Sequence, residues 1–146
     1  MDLKDKILIH QNINVIWENL NNTETLRSCI PGCSELSGSP KEGFSATVTQ
    51  KVGPVKATFR GNAFISDVVE NHSYTIRGEG KGGAAGFAKG EAKVILTEIA
   101  NDTELTYEVH AKVGGKLAQL GGRLINGFAK NMAKKFFENF KSKIET

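Results

Sequence analysis

The chain has 146 residues, with 19 Lys and Arg against 16 Asp and Glu for a net charge of +3, and at this size one core buries roughly 70% of the surface the unfolded chain exposes. So small an excess of positive charge gives no basis for nucleic acid as a partner. No apolar run approaches the ~18 residues needed to cross a bilayer, and the opening Met-Asp-Leu-Lys-Asp-Lys lacks the apolar stretch of a secretory signal, so a cytoplasmic chain is expected.

Residues 3–10 alternate Lys and Asp with Leu3, Ile7 and Ile9, the pattern of a half-buried strand. Asn14 precedes Val15-Ile16-Trp17 and Leu20, which predicts an N-capped short helix; Thr23 is placed to cap a second one through Leu26, and Pro31-Gly32 ends it. From residue 33 to 113 the helical period gives way to period-2 alternation. Phe44, Ala46, Val48, Gln50 and Val52 mark one strand face, Gly53-Pro54 a turn, and Val55, Ala57, Phe59, Gly61, Ala63 and Ile65 the face of the returning strand. Further strands are expected at 73–80, 87–97 and 104–113, with turns at Asn71-His72 and Asn101-Asp102, giving an antiparallel meander of about six strands plus the N-terminal one.

Beyond Gly114-Gly115 the period returns to 3.6. Leu117, Leu120, Leu124, Phe128, Met132 and Phe136 form one stripe of a helix expected to run about 30 residues, roughly 45 Å. A stripe that long must cover the sheet. From Gly114 onward seven basic residues against two acidic give +5, leaving the rest at −2. Phe136, Phe137 and Phe140 stand beside Lys134, Lys135 and Lys141, a mixture suited to an interfacial helix end, so these six residues are the expected membrane-surface set.

Other constellations carry less chemistry. Gly78-Glu79-Gly80-Lys81-Gly82-Gly83 matches GxGxxG formally, yet strand-like sequence follows it rather than the helix a dinucleotide site needs. The glycines and alanines from Gly78 to Gly90 are read instead as letting two strands bend or leaving room above them. His10, His72 and His110 lack metal-ligand spacing, although a sheet joining its first and last strands would make His10 and His110 neighbours. No nucleophile motif occurs, and Cys29 and Cys33 are expected to be reduced and structural.

Cys29-Ile30-Pro31-Gly32-Cys33, followed by Glu35-Leu36 and preceded by Trp17 and Leu20, stands in order with Gly53-Pro54, Phe59-Arg60-Gly61, the Gly78-to-Gly90 stretch and Gly114-Gly115. In that order they resemble the carbon monoxide dehydrogenase G-subunit (CoxG) family of the START-like, polyketide cyclase (SRPBCC, helix-grip) superfamily. The resemblance implies an α+β helix-grip fold of β-α-α-β6-α order, a curved antiparallel sheet of about seven strands wrapped around a long C-terminal helix, as one START-like ligand-binding domain over 1–146. It also implies a non-catalytic module that holds a lipophilic small molecule, a quinone or lipid, beside a molybdenum hydroxylase of the carbon monoxide dehydrogenase type, with peripheral contact at the inner face of the cell membrane. Longer members carry a linker and hydrophobic tail that this chain, ending at Thr146, is expected to do without. The expected ligand-binding set is Trp17, Leu26, Ile30, Phe44, Phe59, Phe64, Gly86, Phe87, Leu117, Leu120, Leu124 and Phe128. No metal and no cofactor other than that ligand is expected. The rival expectation is a polyketide cyclase or dehydratase using the same cavity, which would need titratable groups converging inside.

Overall fold

The computed structural model describes residues 1–145. The chain runs β1 (Asp2–Ile9), α1 (Ile13–Leu20), α2 (Thr23–Cys29), β2 (Cys33–Ser39), β3 (Gly43–Val52), β4 (Val55–Val69), β5 (Ser73–Lys81), a 3₁₀ turn (Gly83–Ala85), β6 (Phe87–Ile99), β7 (Asp102–Gly114), α3 (Lys116–Gln119) and α4 (Gly122–Ile144). The strands form one antiparallel sheet in the order β1-β7-β6-β5-β4-β3-β2. The six consecutive strands are a meander, and β1 closes onto β7 from Asp2 opposite His110 to Ile9 opposite Thr103.

The short helices form as their spacing predicts, but their caps lie earlier. The Val15 amide donates to the Asn12 side chain at 3.1 Å and the Thr25 amide to Asn22 at 3.0 Å. Asn14 and Thr23 already lie inside the helices, and the Thr23 hydroxyl donates across to the Gly38 carbonyl at 3.0 Å. Asn was the right residue type in the wrong copy, since Asn12 and Asn14 both precede the apolar run.

The C-terminal helix is not continuous. It breaks at Gly121, whose φ of 89° and ψ of 154° lie outside the helical region, so a four-residue α3 precedes the 23-residue α4. The break rotates the apolar stripe. Ile125, Phe137, Phe140 and Ile144 point inward from α4, whereas Leu124 is 39% exposed. Phe137 stacks on Tyr107 with centroids 4.6 Å apart, and Phe140 is wholly buried. These two rings therefore belong to the core and not to a membrane surface, and Phe136, half-buried, packs against the same cluster. Lys141 is also committed internally, donating to the Leu8 carbonyl at 3.0 Å. Of the expected membrane-surface set, Lys134 and Lys135 remain exposed.

Packing is divided between two apolar clusters. The larger joins Ile9, Ile16, Leu20, Tyr74, Leu96, Leu105, Tyr107, Phe137 and Phe140 where α1, α2 and the end of α4 meet the sheet. The smaller is Val52, Leu117 and Ile125, with Val55, Phe59, Val113, Leu120 and Phe128 against it. Phe140→Ala should accordingly cost about 3–5 kcal/mol in urea unfolding; a loss below about 1 kcal/mol would remove this ring from the core. The histidine expectation needs correction as well. His110 sits opposite Asp2, while His10 lies past the other end of β1 beside Asp102, at 3.3 Å. His110 Nδ1 is 2.7 Å from the Asp2 carboxylate, and this hydrogen bond raises the imidazole pKa above its usual 6.5. Its contribution to stability is thus full below the ordinary histidine value and lost as pH rises through the raised one. Imidazole resonances should show the raised midpoint in the native chain and its return toward the ordinary value in Asp2→Asn.

Candidate functional site

Between the two clusters the inner face of the sheet is nearly bare of side chains. On β4, Ile65 packs against the larger cluster and Phe59 against the smaller, so period 2 turns Gly61 and Ala63 toward the helix as well. Register carries this across the sheet. Ala46, Gly61, Gly80 and Ala88 lie in one row, and Ala63, Gly78, Gly90 and Ala111 in the next. Beside them runs a bulkier row of Ile65, Ile76, Ala92, Val109 and Leu3; beyond the first row stand Val48 and Phe59. The result is a trough about two residues wide. All eight small residues are half-buried, and none belongs to either cluster.

The roof is α4. Ile125 and Phe128 reach the smaller cluster, Ala133 and Phe136 the larger, and Met132 lies between them on the same helical stripe, half-buried and in neither. Leu26 and Ile30 of the α2 segment are likewise half-buried and outside both clusters. At the α3–α4 corner an apolar pocket of about 490 Å³ is framed by Gly53, Leu120, Leu124, Gly127 and Phe128, with Arg123 at its rim. A side chain added at Gly121, Gly122 or Gly127 would meet nothing within 4 Å, so the first turns of α4 are thinly packed.

Several expected site residues lie elsewhere. Phe64 and Phe87 point to the outer face, 57% and 43% exposed, because they alternate with Ala63 and Ala88, which point inward. Phe87 covers Gly114, and Phe64 covers Gly43. Gly86 does not make room for a ligand. Its φ is 108°, and a Cβ there would collide with the Gly114 carbonyl oxygen, so glycine is required for close backbone approach. Phe59, Leu117, Leu120 and Phe128 do line the smaller cluster, and Phe44 is buried at the end of the second small row, opposite Ala63. Trp17 meets Tyr74 edge-on at 5.8 Å and supports the larger cluster rather than the trough. Met132 was expected in the sheet-covering stripe and Ala46 and Ala63 on the packed strand faces, but none of them, nor Ala111, was counted in the expected ligand-binding set. Their signal is cross-strand register, which becomes visible once every hairpin is aligned.

The inner wall offers little acid or base chemistry. Gln50, its polar member, donates to the Pro31 carbonyl at 2.6 Å and so fastens β3 to the end of α2. Tyr74 lies within the larger cluster, and burial pushes its phenol well above the usual range, so it stays protonated. Cys29 and Cys33 are both free, and burial raises the Cys33 thiol. Among the described residues no group of three or more His, Cys, Asp and Glu side chains could hold a metal ion, and no helix is long and apolar enough to cross a membrane.

A curved antiparallel sheet gripping a long C-terminal helix over a side-chain-poor trough defines a helix-grip protein of the α+β class. More particularly, the chain belongs to the carbon monoxide dehydrogenase G-subunit (CoxG) family, whose sequence pattern it matches over residues 6–145. Among solved structures it is similar to a conserved protein from Geobacillus kaustophilus, with TM-score 0.92 and 28% identity over 99% of this chain and 95% of that one. The fold also recurs in a protein from Rhizobium leguminosarum, with TM-score 0.77, 15% identity and coverage of 99% and 94%. A protein from Thermus thermophilus shares it with TM-score 0.72, 9% identity and coverage of 99% and 97%. No curated protein matches the chain.

The two kinds of glycine predict opposite outcomes. At Gly80 a Cβ meets only the Phe59 Cβ at 3.8 Å, so Gly80→Val should leave urea stability unchanged or raise it by up to about 1 kcal/mol. Gly86→Ala should lose more than about 1 kcal/mol to strain and collision. Equal losses at both positions would mean that the trough is already filled.

Proposed function

We propose that this CoxG-family chain is a non-catalytic carrier of a lipophilic small molecule, a quinone or lipid, held in the trough beneath α4 in the service of a molybdenum hydroxylase of the carbon monoxide dehydrogenase type. The observation that carries the reading is the pair of alanine-glycine rows, Ala46 to Ala88 and Ala63 to Ala111, left uncovered between two packed clusters. Close backbone approach accounts for Gly61 and Gly90, but not for Gly78, Gly80 or the alanines, and small residues there suit a site for an apolar chain. Burying on the order of 400 Å² of apolar ligand surface there gains roughly 10 kcal/mol before ordering costs, which leaves affinity in about the micromolar range.

Access is assigned to the α3–α4 corner, where Leu120, Leu124 and Phe128 frame the apolar pocket and Arg123 stands at its edge. On the same helix, exposed Lys130, Lys134 and Lys135 extend this charge and support a peripheral, anionic-membrane approach for loading. The family's description as a dehydrogenase subunit supports the choice of partner. Gln50 is spent on Pro31, and the two trough rows are wholly alanine and glycine, which supports a carrier over a cyclase.

The test is whether purified protein releases a lipophilic compound on organic extraction after native mass spectrometry, and whether it binds menaquinone or a fluorescent fatty acid by titration. Gly80→Val should weaken that binding by at least about tenfold, since branched carbons then occupy the trough floor, without lowering Tm. Undiminished affinity in Gly80→Val, or no binding by the native chain, would overturn the proposal. Turnover of a polyketide-like substrate would decide for the cyclase.

A further inference from the structure

The outer face of the sheet is divided electrostatically. Over one half, charges are matched: Arg77 with Glu91 at 3.0 Å, His110 with Asp2 at 2.7 Å, Lys4 with Glu108 at 3.1 Å and Lys6 with Glu104 at 3.8 Å. Over the other half, like charges stand directly opposite one another. Lys51 pairs with Lys56 across β3–β4, Arg60 with Lys81 across β4–β5, and Lys89 with Lys112 across β6–β7. All six side chains point outward and are exposed, and among the described residues none makes an ion pair or a side-chain hydrogen bond. Glu79, opposite Lys89, is the band's one carboxylate. Like charges opposite each other on a sheet are destabilising. Arg60–Lys81 and Lys89–Lys112 occupy neighbouring rows, and Lys51–Lys56 lies beyond the Thr49–Thr58 row, so together they leave a net positive potential that Glu79 offsets only in part.

The band borders a groove of about 810 Å³ on this outer face, lined by Arg60, Lys81, Lys89 and Lys112 with Phe64 at one side. From β3 to β7 it spans four strand spacings, roughly 19 Å, the breadth of a protein contact rather than of a small anion. Exposed Phe64 and Phe87 stand among the cations, and rings beside basic side chains are the usual composition of such an interface. The groove is concave, so a flat bilayer would not fill it. Asp2 and Glu91 in its floor are already paired with His110 and Arg77, so Glu79 is the one carboxylate left against Arg60, Lys81, Lys89 and Lys112, and the uncompensated charge of the groove is positive.

We propose that the outer face of β3–β7, from Lys51 to Lys112 by way of Arg60, Lys81 and Lys89, is a docking surface for a protruding acidic segment of a partner protein. It rests on the carrier reading only for who that partner is, and its geometry is independent of the trough. Binding there leaves the inner face and α4 free, although at Lys51 and Lys56 the surface reaches the β3–β4 turn whose Gly53 frames the corner pocket.

The probe is a synthetic octaglutamate peptide titrated into the isotopically labelled chain and followed by amide NMR. Shifts should concentrate on the outward residues of β3–β7, and affinity should fall roughly tenfold between 20 and 200 mM salt. The triple variant Lys81→Gln, Lys89→Gln, Lys112→Gln should lose the interaction while keeping Tm and fatty-acid binding; Lys134→Gln with Lys135→Gln should keep it. In the free protein Lys81→Glu, which converts the pair with Arg60 into an attractive one, should raise Tm by about 1–4 °C. Peptide shifts spread equally over α4, or a Lys81→Glu melt no higher than native, would overturn the proposal. So would binding of the native chain to phosphatidylglycerol vesicles that the triple variant loses, with no binding of the peptide. Loss of fatty-acid binding with docking intact would count against the carrier reading alone.

Discussion

One geometric constraint governs this molecule: a seven-stranded open sheet offers an inner face larger than one helix can cover. Six strand spacings make the sheet roughly 29 Å across, whereas α4, at 23 residues, is about 35 Å long but only about 10–12 Å wide. The chain concentrates its remaining helical cover, α1 and α2, at the end where β1, β5, β6 and β7 meet α4, and the larger cluster forms there. At the other end α3 and the start of α4 close over the β3–β4 hairpin. What lies between could be filled by large side chains or left open. The two rows of alanine and glycine put no bulky side chain there.

Strand order, hairpin positions and the inward sets of β3, β4, β6 and β7 were legible from period-2 patterning, because each strand has one packed and one solvated face. The aromatic residues misled for the same reason that the pattern succeeds. Phe64 and Phe87 are large and apolar, yet their parity places them outside, and parity outweighs hydrophobicity when the neighbouring Ala63 and Ala88 fix the pleat. On the C-terminal helix the error was one of phase. Gly121 interrupts the helix between Leu120 and Leu124, so Leu124 turns outward while Leu120, Phe128 and Phe136 of the same stripe still pack inward, and Phe137 and Phe140, expected at a membrane surface, join them. A glycine with positive φ is a local backbone event that periodicity averages over. The trough itself was half legible: the glycine-rich stretch announced space, but Gly86 and Gly90 serve close backbone approach while Gly78 and Gly80 leave the opening.

The two proposals thus rest on different properties of the inside and outside of the same sheet. The one for the inner face rests on missing side-chain volume, which has no charge signature and no titratable group. The one for the outer face rests on charges that the fold leaves largely unanswered, although the net charge of the chain is small. The +5 of the C-terminal segment drew attention to α4, yet Lys51, Lys56, Arg60, Lys81 and Lys89 lie in the part of the sequence whose sum is negative. Register, which brings like charges side by side, is invisible to a running total.

The pairing of β1 with β7 also orders events during synthesis. Strand β1 cannot find its hydrogen-bonding partner until more than a hundred further residues have emerged, since Asp2 lies opposite His110 and the Met1 amine donates to the Ala111 carbonyl at 2.9 Å. The hairpins from β2 to β6 close locally and early, while Leu3, Ile7 and Ile9 wait with their apolar side chains uncovered, a long-range contact of the kind that slows folding. Helix α4 follows last and supplies the roof. A nascent chain therefore presents the rows of small residues to its surroundings before the 23-residue α4 can lie over them.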